Sequence, residues 1–462
     1  MLSRRDFLTG GAAFVTALPV FYGNAYASSY DIDRSKEQFD PGRKLVRDGI
    51  EYAEKGKKNN IPPVMREEIL DNPDAVFVLR TDVVSNKDSD GKFPPEYEQF
   101  ALAGYRTARK MFRKGSGEKG GTTYIKPNFV GGFNADKRSV NNGISTHPSF
   151  VAGFCDALKE MGNTNIVVGA NGGATHENFV ESGVCDILHH RGVCFTEGKY
   201  TSWSDYKKSE ITWVHNPEGI VMREIPFFRL VKEKDTMFIN MAKDRIHNLG
   251  ITTLTIKNLQ GIMPVGYMHV CGGWSGTLNR GTVKNVFNPD YRSEIERLYV
   301  KHARMGYKYW DEYGFARAYF NAGGWNAFQN DEFKPDSRIF WFEQWAQRML
   351  DIASNVHPYV NLIEGIVGVD GAGTLHLNNF ITVSRSMVAC DSVASWLMGH
   401  DPRELYYTRI ANERGMGENN IEKIAIYEIT DRGVEKIKDY RTLPRASMGV
   451  NIYNIGKELR FF

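Results

Sequence analysis

The sequence predicts an α/β protein whose sheet is mostly parallel, with helices on both faces and an aromatic-rich helical insertion. Short apolar runs of strand length alternate with segments that carry apolar residues at helical spacing. This alternation is typical of βαβ units, in which helices bury parallel strands on both sides. It is interrupted between Tyr299 and Trp345, where fifteen of forty-seven residues are aromatic, compared with 12% of the whole chain.

The predicted elements follow one another in the order that βαβ units require. Predicted strands are 75–79, 122–125, 166–168, 193–195, 236–239 and 362–369. Predicted helices are 98–112, one from about 146 to 162, one that ends near 191, 294–313 and 340–354. Pro148 suits the first turn of the second helix, and we expect Ser145 or Thr146 to cap it.

The beginning of the chain resembles a twin-arginine export signal. Ser3 to Leu8 contains an arginine pair before a hydrophobic residue, Gly10 to Val20 is uncharged, and Ala25 to Ala27 has the small-x-small pattern of a cleavage site. The apolar run is too short and too interrupted to be a stable membrane anchor. We therefore expect the twin-arginine translocation machinery to export the folded protein to the periplasm or the medium.

These observations divide the chain into five consecutive parts. They are a signal peptide at 1–27, an N-terminal arm at 28–70, an α/β core at 71–284, the helical insertion at 285–350, and the completion of the core with a C-terminal tail at 351–462.

Composition excludes several classes of protein. A net charge of +3 without a basic run argues against a nucleic-acid partner. Five cysteines without a Cys-x-x-Cys pair argue against a ferredoxin-type iron–sulfur cluster and a structural zinc knuckle. No phosphate-binding Gly-x-x-x-x-Gly-Lys-Ser/Thr loop and no Gly-x-Ser-x-Gly elbow occurs, so neither a nucleoside triphosphatase nor an acyl hydrolase is indicated.

Cationic and amide side chains follow several of the predicted strands. In open α/β sheets ligands bind beyond the carboxyl ends of the strands, and cationic donors there favour an anion. The sequence therefore predicts a site for a small anionic ligand. Its predicted binding residues are Lys126, Asn128, Lys243, Arg245, Lys257 and Asn258.

Two histidines and an aspartate are candidates for catalysis at the same strand ends. His147 and His247 can act as bases near neutral pH, although each can instead be a hydrogen-bonded structural residue. Asp370 lies between glycines, either where a ligand can approach the backbone or as a turn residue that caps its own loop. His247 together with His269 and Cys271 could hold a single metal ion, and the cofactor is otherwise unknown.

Six segments, in order, resemble the family of domains of unknown function numbered 362. They are Lys126-Pro127-Asn128, Thr146-His147-Pro148, Lys243 to His247, Thr253 to Gly261, Val369-Asp370-Gly371 and Ala389 to Ala394. The resemblance covers roughly Tyr124 to Gly417. Arg245 stands where the family pattern has a second lysine, which keeps the charge but changes the donor geometry. Many relatives carry a ferredoxin-like cysteine module that this chain lacks, so the resemblance does not imply an iron–sulfur role. Asp391, in the last segment, is either catalytic or an ordinary helix cap.

Three functions are compatible with these features. The first is an exported enzyme that acts on an anionic small molecule, with His147 or His247 moving a proton. A similarity to nickel-dependent lactate racemases, in a Thr-x-Pro turn and a Gly-rich segment with lysine after strands, favours isomerase-like or racemase-like proton transfer. The second is a non-catalytic periplasmic binding or cofactor-handling protein that uses the same pocket.

The third function is a structural partner that docks through the aromatic insertion. The aromatic side chains form either the core between two helices or a wall on which a ring-shaped substrate stacks. The tryptophans that would form the wall are Trp310, Trp325, Trp341 and Trp345.

Overall fold

The computed structural model describes residues 49–84, 95–115, 120–129, 143–170, 179, 184–197, 208–247, 250–263, 287–303 and 338–450. The strands of this part of the chain are β1 (Val64–Met65), β2 (Val76–Arg80), β3 (Phe112–Arg113), β4 (Thr122–Pro127), β5 (Ile166–Ala170), β6 (Cys194–Glu197), β7 (Ile211–His215), β8 (Glu224–Phe228), β9 (Thr236–His247), β10 (Ile251–Thr252), β11 (Val360–Val369), β12 (Leu375–Ser384), β13 (Ile426–Ile429) and β14 (Val434–Lys436).

The α-helices of the same residues surround these strands. They are α1 (Gly49–Gly56), α2 (Glu67–Leu70), α3 (Pro95–Met111), α4 (Pro148–Glu160), α5 (Val184–His190), α6 (Arg229–Lys232), α7 (Thr255–Asn258), α8 (Tyr291–Ala303), α9 (Arg338–Ala353), α10 (Met387–Leu397) and α11 (Tyr406–Glu413).

The large central sheet has the strand order β14-β13-β2-β12-β11-β9-β4-β5-β6, and β10 pairs with β9 beside this path. The adjacent strands β11, β9, β4, β5 and β6 are all parallel to one another. The other half is mixed, because β12 is antiparallel to both β11 and β2. The pairs β1–β3 and β7–β8 form two small separate sheets.

Alternate residues of the parallel strands enter two different cores. Ile125 and Ile239 pack into the core that α3 and α4 cover. Their chain neighbours Tyr124 and Phe238 pack into a second core with residues of α7, α9 and α11. Because successive side chains of a strand point to opposite faces, helices cover both faces of the sheet. The predicted α/β class with a mostly parallel sheet is confirmed.

Helix α4 begins differently from the prediction. Its N-cap is His147, whose Nδ1 accepts a hydrogen bond from the backbone N–H of Ser149 at 3.2 Å, with Pro148 in the first turn. Thr146, one of the two predicted caps, instead accepts the backbone N–H of Asn128 with its hydroxyl at 2.9 Å. Its side chain therefore ties the end of β4 to the start of the helix.

Several predicted segments fall partly outside the described residues. The signal peptide lies outside them, as do Trp310 and Trp325, and the helical insertion stays a prediction. Residues 49–70, predicted as part of an arm, include α1, whose Ala53 carbonyl accepts the side-chain amide of Asn165 at 2.8 Å. Within the part of the chain that is described, no helix has the length and hydropathy needed to cross a membrane.

Candidate functional site

The carboxyl ends of β4, β9 and β11 carry two groups of buried polar residues. Strand register places Lys126 beside Asn240, and Asn240 beside Asn361. Three residues further along β9, Lys243 lies beside Glu364 of β11. An odd offset along a strand reverses the side-chain direction, so the two groups lie on opposite faces of the sheet. We call them the amide cluster (Lys126, Asn240, Asn258 and Asn361) and the ion-pair cluster (Lys243 and Glu364).

The amide cluster is a chain of three asparagines that ends at a lysine. The Nδ2 of Asn258 donates to the Lys126 carbonyl at 3.0 Å and to Oδ1 of Asn240 at 2.8 Å. The Nδ2 of Asn240 donates to the Thr255 carbonyl and to Oδ1 of Asn361. Because each amide nitrogen has two oxygen acceptors, the orientation of each amide is determined. Oδ1 of Asn258 must therefore face Lys126.

The amine of Lys126 is held by uncharged acceptors. Its Nζ donates to the Pro127 carbonyl at 2.6 Å and to Oδ1 of Asn258 at 3.1 Å. The side chain is 2% exposed. Burial, with a smaller contribution from the positive charge of Lys257, lowers the pKa of Lys126 to about 7. A substantial fraction of this amine is therefore neutral at physiological pH.

In the ion-pair cluster, carboxylates balance the positive charge of Lys243. The Nζ of Lys243 lies 2.8 Å from both carboxylate oxygens of Glu364 and 3.5 Å from Oδ1 of Asp244. Glu364 also accepts the backbone N–H groups of His147 at 3.1 Å and Ile366 at 2.9 Å. Burial raises the pKa of Asp244 to about 7, although Lys243 opposes the rise. Lys243 was predicted to share an anion pocket with Lys126, but its charge is already matched here.

The family model for the Domain of unknown function (DUF362) matches residues 123–396, which is more than half of the chain and includes both clusters. The chain belongs to the DUF362 family. No curated protein and no solved structure matches it.

The two candidate catalytic histidines, His147 and His247, are held neutral. Burial, aided by Lys243, places the pKa of His147 well below its usual value, and its ring stacks on Phe100 with centroids 3.9 Å apart. Burial, with the charges of Lys257 and Arg245, similarly lowers the pKa of His247. The Nδ1 of His247 accepts the Gly250 N–H at 3.4 Å. Each histidine thus has one ring nitrogen bound to backbone, and its catalytic role stays a prediction.

The side chains of Asp370 and Asn128 form hydrogen bonds with the backbone of nearby loops. The carboxylate of Asp370 accepts the backbone N–H groups of Ala372 and Thr374 and lies 2.9 Å from Nε2 of His376, which is the turn arrangement among the two predicted alternatives. The side-chain amide of Asn128 donates to the Ile144 carbonyl at 3.2 Å.

The remaining predicted site residues are only partly placed. Arg245 and Lys257 are half-buried. His269 and Cys271 lie outside the described residues. Within the residues that are described, no group of three or more His, Cys, Asp or Glu side chains is arranged to hold a metal ion.

Asp391 caps a helix other than its own. Its Oδ1 accepts the Thr255 N–H at 2.8 Å and its Oδ2 accepts the Ile256 N–H at 3.2 Å, so it caps α7 from α10. Ser386 is the N-cap of α10, so Asp391 has the cap role that was one of its two alternatives, but at α7 rather than at its own helix. Burial raises the pKa of Asp391 to about 7, while its hydrogen bonds oppose that rise. Asp391 thereby fixes the single turn that carries Lys257 and Asn258.

Sequence reasoning missed Asn361 and Glu364 as members of the site and gave Asn240 no role in it. All three are fully buried within strands whose other residues are mostly apolar. That contrast was the available signal, because a polar side chain in a buried strand requires partners.

Proposed function

We propose that this DUF362 protein is an enzyme that binds a small anionic molecule at the carboxyl edge of its sheet and moves a proton on it through the Lys126 amine. The observation that carries the proposal is the pair of neutral oxygen acceptors around Nζ of Lys126, at a strand end where α/β sheets bind ligands. A buried lysine that is neutral near pH 7 is suited to general-base catalysis.

Two further cationic side chains support the anionic character of the ligand. The charge of Lys257 acts on both Lys126 and His247, and the charge of Arg245 acts on His247. The positive charges of Lys257 and Arg245 act in a partly desolvated region, where they favour an anion. Proton transfer beside a carboxylate also agrees with the isomerase-like reaction expected from the sequence.

We assign proton transfer to Lys126 rather than to a histidine because of the hydrogen bonds of the histidines. His147 caps α4 through Nδ1, and His247 accepts a backbone N–H through the same atom. Each ring therefore has a positional role that movement would disturb.

The test uses the mature protein and a panel of lactate, malate, glutamate and inorganic phosphate. At least one carboxylate should raise the melting temperature, and Lys257→Met should reduce that rise. NMR in deuterated water should show exchange of the hydrogen on the carbon beside the carboxylate. Lys126→Met should abolish the exchange while leaving binding in place. Lys423→Met changes a largely exposed lysine and serves as the control.

Each negative result has a distinct meaning. Stabilisation by an anion without exchange, for every carboxylate tested, would replace the enzyme with the non-catalytic binding or cofactor-handling alternative. No stabilisation by any member of the panel would remove the anion site.

Export is a second part of the proposal. The arginine pair at Arg4 and Arg5, the uncharged run and the small-x-small pattern support a periplasmic or secreted protein that leaves the cytoplasm folded. Replacing both arginines with lysine should keep the uncleaved protein in the cytoplasmic fraction. Cleaved variant protein in the periplasm would contradict the twin-arginine route.

A metal ion at His247, His269 and Cys271 stays a hypothesis. Metal analysis of protein purified after export would test it, and less than stoichiometric metal would remove it.

A further inference from the structure

We propose that Lys126 forms a covalent imine with a substrate that carries both a carbonyl and an anionic group, as a 2-oxo acid does. This inference rests on the proposed function, because it names the substrate class of the same site.

The hydrogen bonds around Lys126 match a neutral amine. A neutral amine has two N–H donors and one lone pair, whereas an ammonium group has three donors and no lone pair. Among the described residues, the acceptors of Nζ are the Pro127 carbonyl and Oδ1 of Asn258. They use both N–H groups of the neutral form and leave the lone pair for reaction with an electrophile.

Asn258 cannot reverse this arrangement. Its amide nitrogen is bound to the Lys126 carbonyl and to Oδ1 of Asn240. A rotated amide would present an N–H group to Nζ and leave two buried carbonyl oxygens without that donor, at a cost of about 1–3 kcal/mol for each unsatisfied group.

Lys243 shows how the same sheet edge treats a charged lysine. Its Nζ lies 2.8 Å from both oxygens of Glu364, and Asp244 is near at 3.5 Å. Both lysines are 2% exposed, so burial alone does not separate them. They differ in their partners, which are carboxylates for Lys243 and neutral carbonyl oxygens for Lys126.

The neighbouring cation, Lys257, indicates that the substrate carries an anionic group as well as a carbonyl. Lys257 lies on α7, one residue before Asn258. Its positive charge lowers the pKa of Lys126. Lysines activated for imine formation are typically desolvated or placed next to another cationic group, and Lys126 meets both conditions. The second cation can pair with an anionic group on the same molecule that brings the carbonyl.

The chemical step is balanced without a further reactant. The Lys126 nitrogen lone pair attacks the carbonyl carbon, and the carbonyl π electrons move to oxygen, which takes up a proton. The nitrogen of the resulting carbinolamine loses a proton, and its hydroxyl group takes up a second proton. The carbon–oxygen bond then breaks and water leaves as the carbon–nitrogen double bond forms, which gives a protonated imine. No oxidant or reductant is consumed, and hydrolysis returns the free amine.

The test is reductive trapping of the mature protein with glyoxylate, pyruvate or 2-oxoglutarate and cyanoborohydride near pH 7. Peptide mapping by mass spectrometry then locates the secondary amine. Lys126 should be labelled at least about tenfold more than the exposed Lys423, because about half of Lys126 is neutral at this pH against about one in 3,000 for an ordinary lysine. The wild-type protein alone decides the result, because Lys243 in the same digest is the buried control and should stay unlabelled.

Variants sharpen the assignment. Lys126→Arg keeps the positive charge but removes the nucleophilic amine, so the adduct should disappear from a folded protein, whose fold is checked by circular dichroism. Lys257→Met should lower labelling by the 2-oxo acids much more than labelling by the uncharged acetone.

The outcomes separate the two proposals. No adduct, or adducts only at exposed lysines, would overturn the imine. If carboxylates still raise the melting temperature in that case, the anion site of the proposed function stands. If they do not, both proposals fail.

Discussion

Replacement of Lys243 with methionine tests the buried ion pair that fixes the edge of the sheet. Lys243 is 2% exposed and Glu364 is fully buried, and Nζ lies 2.8 Å from both carboxylate oxygens. The substitution leaves the Glu364 charge buried without its cation, with Asp244 nearby. We expect the free energy of unfolding to fall by about 3–5 kcal/mol, which is the usual cost of removing one partner of a buried pair.

The magnitude follows from two opposing effects. At the 2.8 Å separation of Nζ and the carboxylate oxygens, Coulomb attraction amounts to about 6 kcal/mol for an effective dielectric constant of about 20. The two backbone N–H groups that Glu364 accepts from His147 and Ile366 remain in the variant and stabilise the carboxylate. We therefore expect a loss near the lower end of the range, about 3 kcal/mol.

The assay is urea denaturation of the single variants and of the double variant Lys243→Met/Glu364→Gln. The double variant should be more stable than the sum of the single losses predicts, with a coupling energy of about 2 kcal/mol. Lys423→Met disrupts the exposed pair with Glu418 at 3.7 Å and should cost less than about 1 kcal/mol. A Lys243→Met loss as small as that of the control, or strictly additive losses, would refute the importance of the pair.

Three other sites give predictions for stability. Burial lowers the pKa of His302, whereas its hydrogen bonds to Glu343 and Glu413 raise it, and the net result is a pKa above 6.5. The contribution of protonated His302 to the stability of the fold is therefore complete below pH 6.5. It is lost as the pH rises through the higher pKa of the folded state. His302→Gln should flatten this part of the pH profile of the unfolding midpoint, and an unchanged profile would contradict the assignment. Asp391→Asn should lower the free energy of unfolding in urea by about 1–3 kcal/mol, because an amide nitrogen would face a backbone N–H at the start of α7. An unchanged free energy of unfolding would show that the cap is dispensable. Trp345 is 1% exposed and packs against His247 and Tyr407. Trp345→Ala should therefore lower the free energy of unfolding by about 3–5 kcal/mol. A loss of ligand binding at unchanged stability would instead favour the substrate wall.

The sequence was informative about elements whose signal is local. The run predicted at 75–79 is the strand Val76–Arg80, and the helix predicted at 98–112 is Pro95–Met111. The strand was predicted from a continuous apolar run and the helix from apolar residues at helical spacing, and each signal lies within one segment. Placement of cationic and amide side chains after strands also predicted that Lys126 and Asn258 belong together, and they are hydrogen-bonded.

The division of the edge into two clusters could not be predicted in the same way. It depends on the register between strands that are more than one hundred residues apart, which pairs Lys126 with Asn240 but Lys243 with Glu364. Within β9, an offset of three residues decides which face each side chain occupies. Asp391 is a similar case, since its partners at the start of α7 lie 135 and 136 residues earlier in the chain.

Measurement of the pKa of Lys126 is the most direct test of the proposal that this lysine reacts as a neutral amine. Competitive labelling of the protein with trace acetic anhydride between about pH 5 and 11, read by mass spectrometry of the Lys126 peptide, gives its titration curve. The Lys423 peptide is the exposed reference. A midpoint near 7 is the expected result, because burial and Lys257 disfavour the charged form. A midpoint near the ordinary value of 10.5 would mean that Lys126 is a charged ammonium group at neutral pH, and neither the proton transfer nor the imine could then be assigned to it.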